Sequence, residues 1–134
     1  MSATDALTTV SYVAHRGENF FDGECDKAGH GHGNDYDFRV AALWWPSRRY
    51  AEICPETVIA ARSHVDSPIA TSNVFHSMLD VANNHYPEED LELSIFSASW
   101  RPSARITQNR IDFDLAKRDT MCKKLLPIRP QSPS

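Results

Sequence analysis

The sequence predicts an α/β domain, on three observations. Two apolar runs, residues 7–14 and 38–45, have the length and the β-branched and aromatic content of strands. Residues 72–82 place Val74, Phe75, Met78, Leu79 and Ala82 along one helical face. Between the two strands runs a polar stretch holding Gly17, Gly23, Gly29, Gly31 and Gly33 together with His15, His30 and His32. A strand that opens into a polar, glycine-rich loop is where open α/β sheets place ligands and chemistry.

In chain order, the first strand (Leu-Thr-Thr-Val-Ser-Tyr-Val-Ala) begins almost at the first residue, so its sheet neighbours have to come from later in the chain. Residues 15–36 read as a long loop, a length that compact domains keep for function or disorder. The second strand stops at Pro46-Ser47, and Trp44 and Trp45 are expected in the core. Pro55 suits the first turn of a short helix over 55–62. Ser67-Pro68 breaks the chain. Ser72 is a candidate N-cap for the amphipathic helix, and Asn83-Asn84 its stop. An acidic turn (Tyr86-Pro87-Glu88-Glu89-Asp90) precedes a short extended piece at 91–96. Ile106, Ile111 and Phe113 alternate weakly, as in a late hairpin or edge strand over 103–114. From 115 the chain is basic and then proline-rich (Pro127, Pro130, Pro133), the composition of a disordered tail. The expected division is a folded portion at 5–114 and a tail at 115–134.

Bulk properties narrow the function. A net charge of −4 and a pI near 5.8 argue against a nucleic-acid binder, which carries a basic face. The three cysteines, Cys25, Cys54 and Cys122, are widely spaced. They fit neither a zinc ribbon nor a fully paired disulfide scaffold; one disulfide with one free thiol is compatible with them. No apolar run approaches a membrane span, and the amino terminus lacks the pattern of a signal peptide.

The chemistry-bearing residues lie in the loop. His15, His30 and His32, with Asp22, Glu24, Asp26 and Cys25, have the side chains of a zinc site, although their spacing matches no common structural zinc pattern. A solvated polar loop accounts for the composition equally well. Arg16 disfavours a cation and suits an anion, so a phosphate is the other candidate ligand. His64, His76 and His85 read as structural. No Ser or Cys has the surroundings of a catalytic nucleophile.

Taken in order, five segments resemble the sulfatase-fold phosphoethanolamine transferases. Tyr12-Val13-Ala14-His15-Arg16-Gly17-Glu18-Asn19 is similar to the family's Tyr-Val-Ser-Asp-His-Gly-Glu-Asn, and Gly31-His32-Gly33 to its following Gly-His-Gly. Residues 38–47 look like its next strand, with Ala41 in place of the family's proline. Residues 68–82 resemble its Pro-Ile-Ser-Xaa-Asn-Leu-Phe-His-Xaa-Leu-Leu-Asp-Leu-Ala helix, and Arg110-Ile111-Asp112-Phe113-Asp114 its closing segment. The likeness covers about residues 7–114.

The resemblance implies an alkaline-phosphatase-like fold, here a partial sheet flanked by helices and truncated on its N-terminal side. It implies transfer of phosphoethanolamine from phosphatidylethanolamine to lipid A or lipopolysaccharide, on the periplasmic side of the inner membrane. Zinc is the implied cofactor, lowering the pKa of a threonine nucleophile and offsetting phosphoryl charge. Carried over by position, His32 is the substrate-phosphate contact, and His15 and His30 are the metal candidates. The gapless match sets His15 at the family's Asp and Arg16 at its His, and a guanidinium does not ligate zinc. The nucleophile region lies upstream of the matching segment, and Thr8 and Thr9 do not match it. The chain is therefore expected to carry no catalytic residue, to be inactive alone, and to partner the missing N-terminal portion of such an enzyme. The alternatives are a non-catalytic zinc- or phosphate-binding module, and a chain with no stable fold of its own.

Overall fold

A computed structural model describes residues 6–22 and 25–127. The chain divides into two compact units. One comprises Trp44–Ser103 with the residues up to Val10, and the other Ser11–Leu43 with the chain from Ala104 onward. The α/β character predicted from sequence is present, built among the described residues from short helices and three sheets of two strands each. Strand β1 (Thr9–Val13) pairs with β4 (Ala42–Pro46). The Ala14 N–H donates to Ala41 O and the Ser47 N–H to Thr8 O, each at 2.8 Å, so these strands run antiparallel.

In the first unit, Ser47 caps α2 (Arg48–Ile53), its Oγ accepting from Tyr50 N at 3.1 Å. Pro55 opens α3 (Pro55–Ser63) as expected. The core is Tyr50, Val81 and Phe96, with Trp44, Cys54, Ala61 and Ile95 packed against it. Trp44 meets Phe96 with ring centroids 4.5 Å apart, and the Tyr50 hydroxyl donates to Val81 O at 2.9 Å. Its neighbour Trp45 points the other way and is 71% exposed, because alternate strand residues face opposite sides. The expectation of two core tryptophans holds for Trp44 alone.

Helix α4 (Asn73–Val81) forms where the apolar spacing predicted it and ends at Asn83 in the left-handed region (φ 53°). Its orientation differs from the expectation. The buried residues are Asn73, Ser77 and Val81, whereas Phe75 and Met78 are exposed. The cause lies in the segment it packs on. Residues 91–96 are not an extended strand; a single 3-10 turn (Leu91–Leu93) leads into irregular backbone that has no ladder to join. Asn73 Nδ2 donates to Leu93 O and Asn73 Oδ1 accepts from Ala70 N, both at 2.9 Å. Ser77 Oγ accepts from Ile95 N at 3.0 Å, and Ser94 Oγ donates to Asp80. The helix turns its polar face inward to satisfy that backbone.

In the second unit, the long loop carries structure of its own: β2 (Asn19–Phe20) pairs antiparallel with β3 (Ala28–Gly29), followed by α1 (Asp35–Phe38). The sequence placed a strand from 38, but Phe38 closes α1, because Asn34 and Asp37 form a capping box that starts a helix first. Over 103–114 there is a single bridge, Ile106 to Asp112. Beyond 115, β5 (Lys117–Arg118) and β6 (Leu125–Leu126) form a hairpin, and Ala116 and Leu125 are buried with Phe113. The disordered tail expected from 115 is thus ordered as far as its own apolar residues reach the core. Residues 128–134 lie outside the described part. The Arg105 and Arg118 guanidinium groups each lie 4.8 Å from the Phe113 ring centroid.

Two predictions follow from these contacts. Asn73→Ala removes two hydrogen bonds and leaves the Leu93 carbonyl unpaired, so urea unfolding should show a loss of about 2–3 kcal/mol. Asp114 is hydrogen-bonded by Arg105, which holds its carboxyl below the ordinary 3.8. A depressed carboxylate contributes stability above its unfolded pKa and loses it as pH falls through the folded value. Asp114→Asn should therefore flatten the acid limb of the stability profile between the unfolded and folded pKa values and leave its slope near neutrality unchanged.

Candidate phosphate-contacting loop

The loop from His15 to Asn34 is fixed from both ends. Gly17 is buried under α1, its N–H donating to Asp37 O at 3.0 Å. A Cβ there would sit 1.8 Å from Tyr36 O and 2.4 Å from Arg39 O, so no other residue fits. At the far end Gly29, Gly31 and Gly33 have φ of 86°, 89° and 72°. Only glycine takes that backbone readily, and the alternation Gly-His-Gly-His-Gly threads the histidines between such positions. Cys25, buried, is joined to Cys122 by a disulfide across 97 residues, with Cα atoms 4.5 Å apart. Cys54 is the free thiol. Cys25 is therefore withdrawn from the candidate metal ligands, since a disulfide sulfur offers no thiolate.

The three loop histidines do not converge. His30 Nδ1 lies 3.2 Å from Glu18 Oε1, with both side chains more than two-fifths exposed. His32 donates from Nε2 to Ala28 O at 3.1 Å, which leaves Nδ1 as the nitrogen open to a ligand. His15 and Arg16 are exposed, and Arg16 makes no ion pair among the described residues. Among those residues no three His, Cys, Asp or Glu side chains group as a metal site. Among the described loop residues the ligand-type pair is Glu18–His30, fewer groups than a zinc site takes. Glu24 lies outside the described residues. The remaining histidines serve as the sequence suggested: His64 Nδ1 bonds Ile95 O at 2.9 Å, His76 meets the Tyr86 hydroxyl at 2.7 Å, and His85 pairs with Glu89 at 3.0 Å.

What the sequence did not reveal is the basic strand beside His32. The Leu125 N–H donates to Gly33 O at 2.9 Å, the Asp35 N–H donates to Lys123 O at 3.3 Å, and Asn34 bridges Lys124. Lys123 and Lys124 are thereby set against the Gly-His-Gly turn, with Lys123 Nζ 5.8 Å from the Tyr36 ring centroid. No local pattern connects residues 32 and 124. Asn34 and Asp37 were also missed, although the Asn-x-x-Asp spacing of a capping box was there to find. Asn19 is fully buried and both ends of its amide lack a protein partner. Lys124 Cε lies 4.0 Å from where a Gly33 Cβ would stand, and Asp37 Oδ2 accepts from the Gly33 and Asn34 N–H groups, so the turn carries a lysine stem and a carboxylate side by side.

Comparison with known proteins gives one informative result. No family model and no curated protein matches the chain. Among solved structures it is similar to the crystal structure of the C-terminal periplasmic domain of EcEptC from Escherichia coli, with a TM-score of 0.69 and 19% identity over 80% of this chain. The chain spans 32% of the length of that structure. It has the fold of about a third of that domain, mixed helix and small sheet, in agreement with the α/β class read from sequence.

Gly17→Ala tests how tightly the loop is held. It should cost roughly 1–3 kcal/mol in chemical unfolding through overpacking against backbone.

Proposed function

We propose that this chain is the carboxy-terminal module of a phosphoethanolamine transferase-related domain, and that its role there is to contact the phosphate of the transferred group through His32. The observation that carries this reading is the placing of Lys123 and Lys124 beside the Gly31-His32-Gly33 turn. It is supported by the ordered motif likeness to the phosphoethanolamine transferases and by the fold shared with the periplasmic domain of EcEptC. His32 Nδ1 would accept from or donate to a phosphoryl oxygen according to its protonation, while the two ammonium groups offset the phosphate charge. Arg16 supplies a further cation where the family has a metal-binding His.

The proposed role is phosphate contact through His32, with the nucleophile, which in the resembled family lies upstream of the matching segment, supplied from outside the match. Zinc, if the complete site uses it, takes ligands other than a His15–His30–His32 trio. The chain alone is then inactive as a transferase. A periplasmic setting is proposed on two grounds: the structural neighbour is a periplasmic domain, and the Cys25–Cys122 disulfide suits an oxidising compartment. None of the described helices is long and apolar enough to cross a membrane.

Titration with phosphoethanolamine, followed by amide and imidazole NMR shifts, tests the reading. Shifts should centre on His32, Lys123 and Lys124, and His32→Ala should weaken binding about tenfold, or roughly 1.4 kcal/mol. Incubation with phosphatidylethanolamine and a lipid A acceptor should give no transfer product. Absence of any shift with phosphoethanolamine or inorganic phosphate overturns the phosphate contact. Turnover that His32→Ala abolishes overturns the inactivity, and zinc binding lost in both His30→Ala and His32→Ala would replace phosphate by metal.

A further inference from the structure

Arg118, on β5, has every nitrogen of its guanidinium occupied. Nε donates to Asp35 Oδ1 at 2.9 Å, Nη2 to Phe113 O at 2.6 Å and Nη1 to Ala116 O, while the group lies over the Phe113 ring. The side chain is 26% exposed and that of Asp35 14%. A planar fork holds three acceptors in one fixed geometry, which a single ammonium cannot reproduce. This cation is therefore committed to the fold and has no donor left to offer a ligand.

Asp35 grips the lysine hairpin at two points. Its backbone N–H donates to Lys123 O at 3.3 Å, in the turn between β5 and β6, and its carboxylate accepts from Arg118 on the strand itself. Its other oxygen is 3.9 Å from the exposed Arg39, a looser contact. Asp35 is also the first residue of α1, next to the Asn34 cap and two positions beyond Gly33. One residue thus joins the Gly-His-Gly turn to both the strand and the turn of the hairpin.

The hairpin needs such a hold. Its strands are two residues each, too short to fix a register by their own pairing. The Cys25–Cys122 disulfide tethers the turn next to Lys123, but a single link leaves its direction free. The three bonds and the ring contact of Arg118 supply that direction across 83 positions of sequence. Cutting them would let the turn swing while the disulfide keeps it attached.

We infer that Arg118 is a positioning residue: through Asp35 it sets the Lys123–Lys124 turn against Gly31-His32-Gly33. The bearing of this on phosphate rests on the contact proposed for His32; the placing of the turn does not.

The test is Arg118→Lys in the full chain with its disulfide intact, followed by NMR. Amide hydrogen exchange should speed up about tenfold at Asp35 and Leu125, whose N–H groups bond Lys123 O and Gly33 O. Exchange at Gly17 and Phe21, which bond Asp37 O and Lys27 O away from the hairpin, should stay within about twofold. On titration with inorganic phosphate the His32 imidazole shift should persist at about fivefold weaker affinity, and the Lys123 and Lys124 side-chain shifts should vanish. Should Arg118→Lys not fold, Asp35→Asn, which keeps an oxygen for Arg118 Nε, decides by the same amides. Unchanged exchange at Asp35 and Leu125 overturns the inference. So does a uniform rise that includes Gly17 and Phe21, which would make Arg118 a general stabiliser, and so do lysine shifts that survive the substitution. A wild-type chain that does not respond to phosphate overturns the reading of His32 instead, and the exchange rates still decide the role of Arg118.

Discussion

With sheets of only two strands, most of this backbone has no ladder to join, and side-chain oxygens take the place of neighbouring strands. Asn34 and Ser47 start helices by accepting from backbone N–H groups. Asp112 Oδ1 accepts from the successive backbone donors Asp114 and Leu115, and Asp119 Oδ1 from Cys122 and Lys124. Asn73 and Ser77 bind the irregular segment after the 3-10 turn. Each buried N–H or C=O left without a partner would cost about as much as a lost hydrogen bond, so these short polar side chains determine where the elements begin and which way they face.

That constraint explains which parts of the fold were legible. Elements defined by local spacing were: the first strand, the Pro55 helix and the 72–82 helix stand close to where the sequence put them. The facing of α4 was not, because period alone says which residues share a side and not which side is buried. Asn73 and Ser77 looked like solvent positions until Leu93 and Ile95 arrived from elsewhere in the chain. Helix α2 escaped notice since Arg48–Ile53 has little apolar period and depends on Ser47. The hairpin beyond 115 escaped too. Its composition is that of a tail, and only Phe113 and the disulfide to Cys25 give it a core to join.

The site divides the same way. The glycine and histidine content marked the loop as the candidate, and His32 was singled out by the Gly-His-Gly resemblance. The loop's own residues left cation and anion both open, and the lysines on which the proposed phosphate contact draws, Lys123 and Lys124, are some ninety positions away. Three cysteines allow three pairings, and spacing does not choose among them; the fold joins the first to the third and leaves Cys54 out.

The alternation of residues 29–33 has a consequence for how such a loop can change over time. Conformation is assigned to the odd positions, where left-handed backbone excludes other residues even though open space surrounds Gly29 and Gly31. Chemistry is assigned to the even positions, where His30 and His32 occupy no strained backbone. The two tasks are thus held by separate residues. Exchange at 30 or 32 changes the side chains the loop presents without altering its path, so a single codon suffices to change its chemistry while the turn is kept.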